Sequence, residues 1–138
     1  MNSETARVLL TTQIEAALAA YPGTKPRLQY ENRNLVDTST QVDPFVGIDI
    51  VYINGTQLDL GAKPMSVQYG QIVITAFCKE NSGTKAANVL LDYFLPWLEL
   101  KEFSGVRTHS GMYSKGNSQK GWQAYPLIVP FWWTRVAA

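Results

Sequence analysis

YGQIVITAFCKENSGTKAANVLLDYF, residues 69–94, joins a β-branched apolar run to a helical stripe through a short polar turn. The run at 70–78 is apolar on both of its faces, the pattern of a central strand covered on one side and shielded on much of the other. Beyond the turn, Ala86, Val89, Leu90, Tyr93 and Trp97 recur at helical spacing, with Pro96 kinking or restarting the final turn. The junction Gly83-Thr84-Lys85 raises the question of a phosphate-binding loop. Such a loop needs an early glycine to wrap the anion and a lysine directly before the Ser or Thr that holds magnesium. Here that glycine is absent and the order is reversed. A capped helix start explains each residue instead: Ser82 or Thr84 caps, Gly83 lets the backbone turn, and Lys85 points to water.

Working outward, the N-terminal segment predicts a first helix with Ser3 as its N-cap. Leu10, Ile14, Ala17, Leu18 and Tyr21 form its apolar stripe, Arg7, Thr11 and Glu15 its wet face, and Pro22-Gly23 its end. A short strand at 28–30 precedes the polar stretch ENRNLVDTSTQVDP, residues 31–44, which reads as a long loop. The segment 45–53 alternates as a strand, with Val46, Ile48, Ile50 and Tyr52 on one face and Gly47, Asp49 and Val51 on the other. Asn54-Gly55 then predicts a tight hairpin turn, the return strand starting at 56–60. From Val106 the pattern is strand, loop, strand. HSGMYSKGNSQKG, residues 109–121, reads as an exposed, mobile connection, and YPLIVPFWWTR, residues 125–135, as a strand that Pro126 and Pro130 confine to an edge or a bulge.

The whole is 138 residues, one domain spanning 1–138, able to bury roughly two-thirds of its unfolded surface. Hydrophobic residues make up 46% and charged residues 17%, ordinary for a folded chain, and a net charge of +1 supplies no field toward nucleic acid or membrane. Met1-Asn2-Ser3-Glu4 does not open like a signal peptide, and no apolar run reaches membrane-spanning length. Synthesis in the cytosol is the expectation. A lone Cys78 excludes an internal disulfide and cysteine-pair metal sites. Asn54-Gly55-Thr56 matches a glycosylation acceptor but reads as the turn.

Chemical candidates thin out in the same way. His109 is the sole histidine and suits a solvated loop. Asp37 and Asp43 suit the long loop, Asp49 the wet face of a strand, and Cys78 a small buried position. Lys101, Arg107, Lys115 and Lys120 make the C-terminal half basic, with a solvated face as the default reading and phosphate contact as the alternative. These residues assemble no catalytic constellation, and no cofactor or metal is expected. Trp132 and Trp133 are adjacent in a strand, so they point to opposite faces. Tyr125 and Phe131 share the face of Trp133. An aromatic left outside beside a sheet edge is a typical interface anchor. Trp132, Trp133, Tyr125, Phe131, Arg107, Lys115 and Lys120 are therefore the candidate interface residues.

The elements add up to an α+β fold, a mixed or antiparallel β-sheet with two main helices packed on it. Their order, with FVGIDIVYING at 45–55 and the central strand entering a helix through a Gly-Thr turn, resembles the tail terminator proteins of long-tailed bacteriophages. The resemblance covers nearly the whole chain and rests on topology and packing. It implies a non-enzymatic subunit that assembles into a ring, usually a hexamer, caps the tail tube, stops its polymerisation and presents a surface to the head connector. The implied partners are further copies of the chain, the tail tube protein and connector or neck proteins, with DNA nearby in the lumen and no membrane. The implied location is the host cytoplasm during assembly, then the neck of the virion tail. On this reading the 125–135 strand joins neighbouring subunits or touches the tube, while the loops at 31–44 and 107–121 face the ring's ends or lumen. A head-completion or neck protein shares this size and fold class. A small-molecule-binding or enzymatic domain using His109 and the 107–121 loop is the rival from another class.

Overall fold

The computed structural model describes residues 2–23, 25–30, 44–57, 65–79, 84–114, 116–119 and 121–136. In chain order these form α1 (Ser3–Ala19), β1 (Leu28–Tyr30), β2 (Phe45–Gln57), β3 (Met65–Lys79), α2 (Lys85–Leu98), β4 (Glu102–Phe103), β5 (Val106–Thr108), β6 (Met112–Tyr113), β7 (Asn117–Gln119) and β8 (Trp122–Val136). The main path of the sheet runs β1-β2-β3-β8-β5-β4, with β6 and β7 also laid on β8. All of its pairings are antiparallel except β1 with β2. The fold is α+β.

The β-branched run places β3 at the centre, between β2 and β8. Its Ile72, Ile74, Ala76 and Cys78 point to one face, where they meet Val46, Ile48 and Ile50 of β2 and Leu127, Val129, Phe131 and Trp133 of β8. Both helices cover this face through Ala6, Leu10, Ile14 and Ala17 of α1 and Ala87, Leu90, Leu91, Phe94 and Leu98 of α2. Burial of each large apolar side chain here stabilises by about 1.5–3 kcal/mol.

Helix α1 starts one residue earlier than the sequence suggests. Asn2 is the cap, its Oδ1 accepting the Thr5 amide at 2.8 Å, and Ser3 is the first helical residue. In α2 the buried stripe is rotated from the expected one. Ala87, Leu91, Phe94 and Leu98 reach the core with Leu90, whereas Ala86 and Val89 are exposed. Tyr93 lies between the helices, its hydroxyl donating to the Ala17 carbonyl at 2.6 Å and its ring edge-on to Tyr21 at 4.7 Å. The helix is apolar around more than half its circumference, so two stripes fit the period and the strand below selects the one led by the small Ala87. Thr84 occupies the N-cap position of α2 but makes no side-chain cap bond; Ser82 and Gly83 lie outside the described residues.

Two turn readings are also corrected. Asn54-Gly55 is not the hairpin tip. Both residues continue β2, Asn54 opposite Tyr69 and Gly55 opposite Gln68, after a register shift at Ile53. The connection between β2 and β3 falls in 58–64, outside the described residues. The 109–121 segment is in part β-structure, since β6 and β7 pair with β8.

Strand β8 is not the sheet edge, because β5, β6 and β7 lie outside it. Its prolines nevertheless shape that side. The Pro130 carbonyl accepts the His109 amide at 2.9 Å and the Pro126 carbonyl accepts the Ser114 amide at 3.0 Å, so both face away from β3. A strand residue's amide and carbonyl positions point the same way, and the missing proline donors fall on that outer side. The β3–β8 ladder therefore stays whole. The outer strands are cut into short pieces, β5 ending opposite Phe131, β6 spanning Leu127 and Ile128, and β7 beginning opposite Ala124, with a proline at each gap.

Candidate functional site

Strand β2 runs past the ground covered by the helices. From Val51 to Gln57 every residue is exposed, and the first three are Val51 (38%), Tyr52 (45%) and Ile53 (54%). Three successive apolar residues break the strict alternation of a half-buried strand, and the register shift at Ile53 is where the break occurs. Tyr69, which pairs with Asn54 and with Trp132, is 39% exposed and continues the patch onto β3. Tyr52 bridges to the helices, its hydroxyl donating to the Ser3 carbonyl at 3.1 Å and its ring edge-on to Trp133 at 5.9 Å.

The sheet face turned away from the helices has its own chemistry. Phe45 and Phe77, cross-strand partners, stack at 4.7 Å, and Trp122 meets Phe45 edge-on at 5.0 Å. The Lys79 ammonium sits 4.5 Å from the Trp122 ring. Beside this cluster is a cleft of about 200 Å3 lined by Gln29, Tyr30, Gly47, Ile48, Asp49, Thr75 and Phe77. Gly47 keeps it open and close-fitting, because a Cβ there would lie 2.9 Å from the Phe77 ring. Asp49 Oδ1 is buried in this region without a hydrogen-bond donor among the described residues.

The candidate interface residues divide into distinct settings. Phe131 (1% exposed) and Trp133 (3% exposed) belong to the core, so their side chains are not available to a partner. Phe131 and Trp133 stack at 5.8 Å, and the Trp133 Nε1 donor has no acceptor among the described residues. Tyr125 is half-buried against the same core. Trp132, on the opposite face as the sequence requires, is half-buried beneath Arg107, whose guanidinium lies 5.4 Å from the ring centroid. Arg107 is exposed and makes a 3.8 Å contact with the equally exposed Glu102, a pair that contributes little to stability. Lys115 and Lys120 lie outside the described residues, as do Asp37 and Asp43.

The remaining chemical candidates are structural in setting. His109 is exposed and contributes backbone bonds, its amide to Pro130 and its carbonyl from the Leu100 amide. Cys78 is buried, and desolvation pushes its thiol up from the ordinary range. Among the described residues no three His, Cys, Asp or Glu side chains gather as metal ligands, and no helix is long and apolar enough to cross a membrane. Two features went unread in the sequence. The Asp49 cleft depends on three strands coming together, and Asp49 read simply as a wet-face residue. The exposed Val51-Tyr52-Ile53 patch did leave a trace, the loss of alternation.

No protein-family model matches the chain, and the search of curated proteins gives no match. A solved structure whose name states no function superposes with a TM-score of 0.69 over 98% of this chain and 96% of that one, at 8% sequence identity. At that identity the likeness establishes the fold, two helices on a largely antiparallel sheet, and nothing of its use.

Proposed function

We propose that the chain is a structural assembly subunit, a tail-terminator-like protein that joins copies of itself into a ring, caps the tail tube, stops its polymerisation and offers a surface for the head connector. The observation that carries this reading is the exposure of Val51, Ile53 and Tyr69 at the end of the sheet beyond the helices. Apolar side chains exposed together on a sheet face mark a protein contact. Trp132 extends the patch across β3 to β8, where the candidate interface strand lies. The element order, with the central strand entering α2, is the arrangement on which the resemblance to tail terminators rests.

The direct test is capping. Purified chain added to a polymerising tail tube protein should halt elongation at substoichiometric ratios and appear at tube ends in negative-stain micrographs. Val51→Asp combined with Ile53→Asp should abolish the halt while leaving the circular dichroism spectrum unchanged. Tubes that grow at the same rate with and without the chain would remove this function.

A further inference from the structure

We propose that the Asp49 cleft of one copy receives the Arg107 side chain of the next copy in the assembly. The inference rests on the ring reading above and names one pair of residues at its subunit contact.

The cleft has an unmet requirement. Asp49 is half-buried, its Oδ1 is shielded without a donor among the described residues, and a shielded carboxylate oxygen gains from a hydrogen-bond donor brought to it. Around it stand Phe77, Gln29 and Thr75, in a space of about 200 Å3. A planar guanidinium suits these walls, since it offers several donors to a carboxylate while lying flat on a ring. An ammonium would satisfy the charge but could not lie flat against the wall while donating two parallel bonds to the carboxylate.

Arg107 is the cation placed to supply it. It pairs across the ladder with Trp132, so both lie on the sheet face away from the helices, the face to which Asp49 also belongs. Its side chain is 57% exposed, and its ionic contact among the described residues is the loose one to Glu102. Within one chain the two groups do not meet. Strands β3 and β8 lie between β2 and β5, a separation of about 14 Å across the sheet. One side of the sheet face thus carries an acceptor lacking a donor among the described residues, and the other an exposed cation held by the Trp132 ring and a loose contact with Glu102. Opposite charges at opposite sides of the same face are satisfied when copies associate head to tail, each giving Arg107 to one neighbour and Asp49 to the other. That is the heterologous contact from which a closed ring is built.

The experiment measures the dissociation constant of the full-length chain by light scattering and sedimentation, with circular dichroism as the folding control. Arg107→Glu and Asp49→Lys should each weaken association about tenfold or more, because like charges then face each other at every contact. The double variant, and an equimolar mixture of the two single variants, should recover most of the loss. Should Asp49→Lys fail to fold, Asp49→Asn placed in the Arg107→Glu background must still relieve the repulsion. If the wild-type chain associates and neither single variant weakens it, or if the variants weaken it without recovery on pairing, this contact is wrong while the ring survives. If the wild-type chain does not associate at all, both fall.

Discussion

The Thr108 hydroxyl donates to the carbonyl of Leu98, the last residue of α2, and so ties the helix end to the strand β5 that follows it. The same oxygen accepts the Lys101 amide at 2.9 Å. Thr108 is the buried polar residue of the described core, and both of its hydrogen-bonding capacities are used where the chain reverses between α2 and the sheet. Thr108→Val keeps the shape and removes both bonds. It should destabilise by about 1–3 kcal/mol in urea unfolding, because the Leu98 carbonyl and the Lys101 amide lose their partner. Thr108→Ser should recover most of that. Equal stability of Val and Thr variants would show the clamp to be idle.

At the centre of the sheet, Gly70 has no room for a side chain. A Cβ there would sit 2.4 Å from the Phe131 ring and 2.6 Å from the Val51 carbonyl oxygen. Gly70→Ala should therefore destabilise by about 1–3 kcal/mol through overpacking, despite alanine's lower backbone entropy in the unfolded chain. A thermal melt at or above the wild-type temperature would contradict the close approach.

The two helix starts differ, and their caps should respond differently. Asn2→Ala should cost about 1 kcal/mol, since Asn2 Oδ1 holds the Thr5 amide at 2.8 Å. Thr84→Ala should change stability by no more than about 0.5 kcal/mol, because the Thr84 side chain makes no cap bond. Chemical denaturation of both variants tests the contrast, and a larger loss at Thr84 than at Asn2 would reverse it.

These differences show where the sequence speaks and where it does not. The central strand was legible because Ile72, Ile74 and Ala76 could be buried by no other arrangement of so apolar a run. The α1 face was legible because its opposite side is polar. In α2 that contrast is missing: Val89 and Leu91 are both apolar, and only contact with β3 distinguishes the exposed one from the buried one. Asn54-Gly55 carries a strong local turn signal, but pairing with Tyr69 and Gln68 overrode it. The short strands β6 and β7 are held by backbone bonds to β8, which leave no mark in residue chemistry. For the interface candidates, opposite facing of Trp132 and Trp133 followed from strand geometry alone, whereas the seating of Phe131 and Trp133 in the core required the helices. The donorless Asp49 oxygen is a property of the cleft and has no sequence counterpart.

Tyr113 provides a pH-dependent check. Its hydroxyl donates to the Asp92 carboxylate, and that bond, reinforced by partial desolvation, pushes the phenol up to about 12 from its ordinary 10.0. A raised acid of this kind contributes stability below pH 10.0 that is lost as pH rises through about 12. The ultraviolet difference titration of wild type against Tyr113→Phe should show one phenol ionising late. Asp92→Asn should return it toward the ordinary value. A Tyr113 phenol that ionises at the ordinary value in the wild-type chain would mean that the bond to α2 does not form.

The mass of the full-length wild-type chain in solution, measured by light scattering over a wide concentration range, bears most directly on the proposed ring. A discrete assembly of several 15.4 kDa subunits, six for a hexamer, should persist to low micromolar concentration, and Trp132→Ser should remain folded yet lose it. A folded chain that stays at 15.4 kDa at every concentration would contradict the ring.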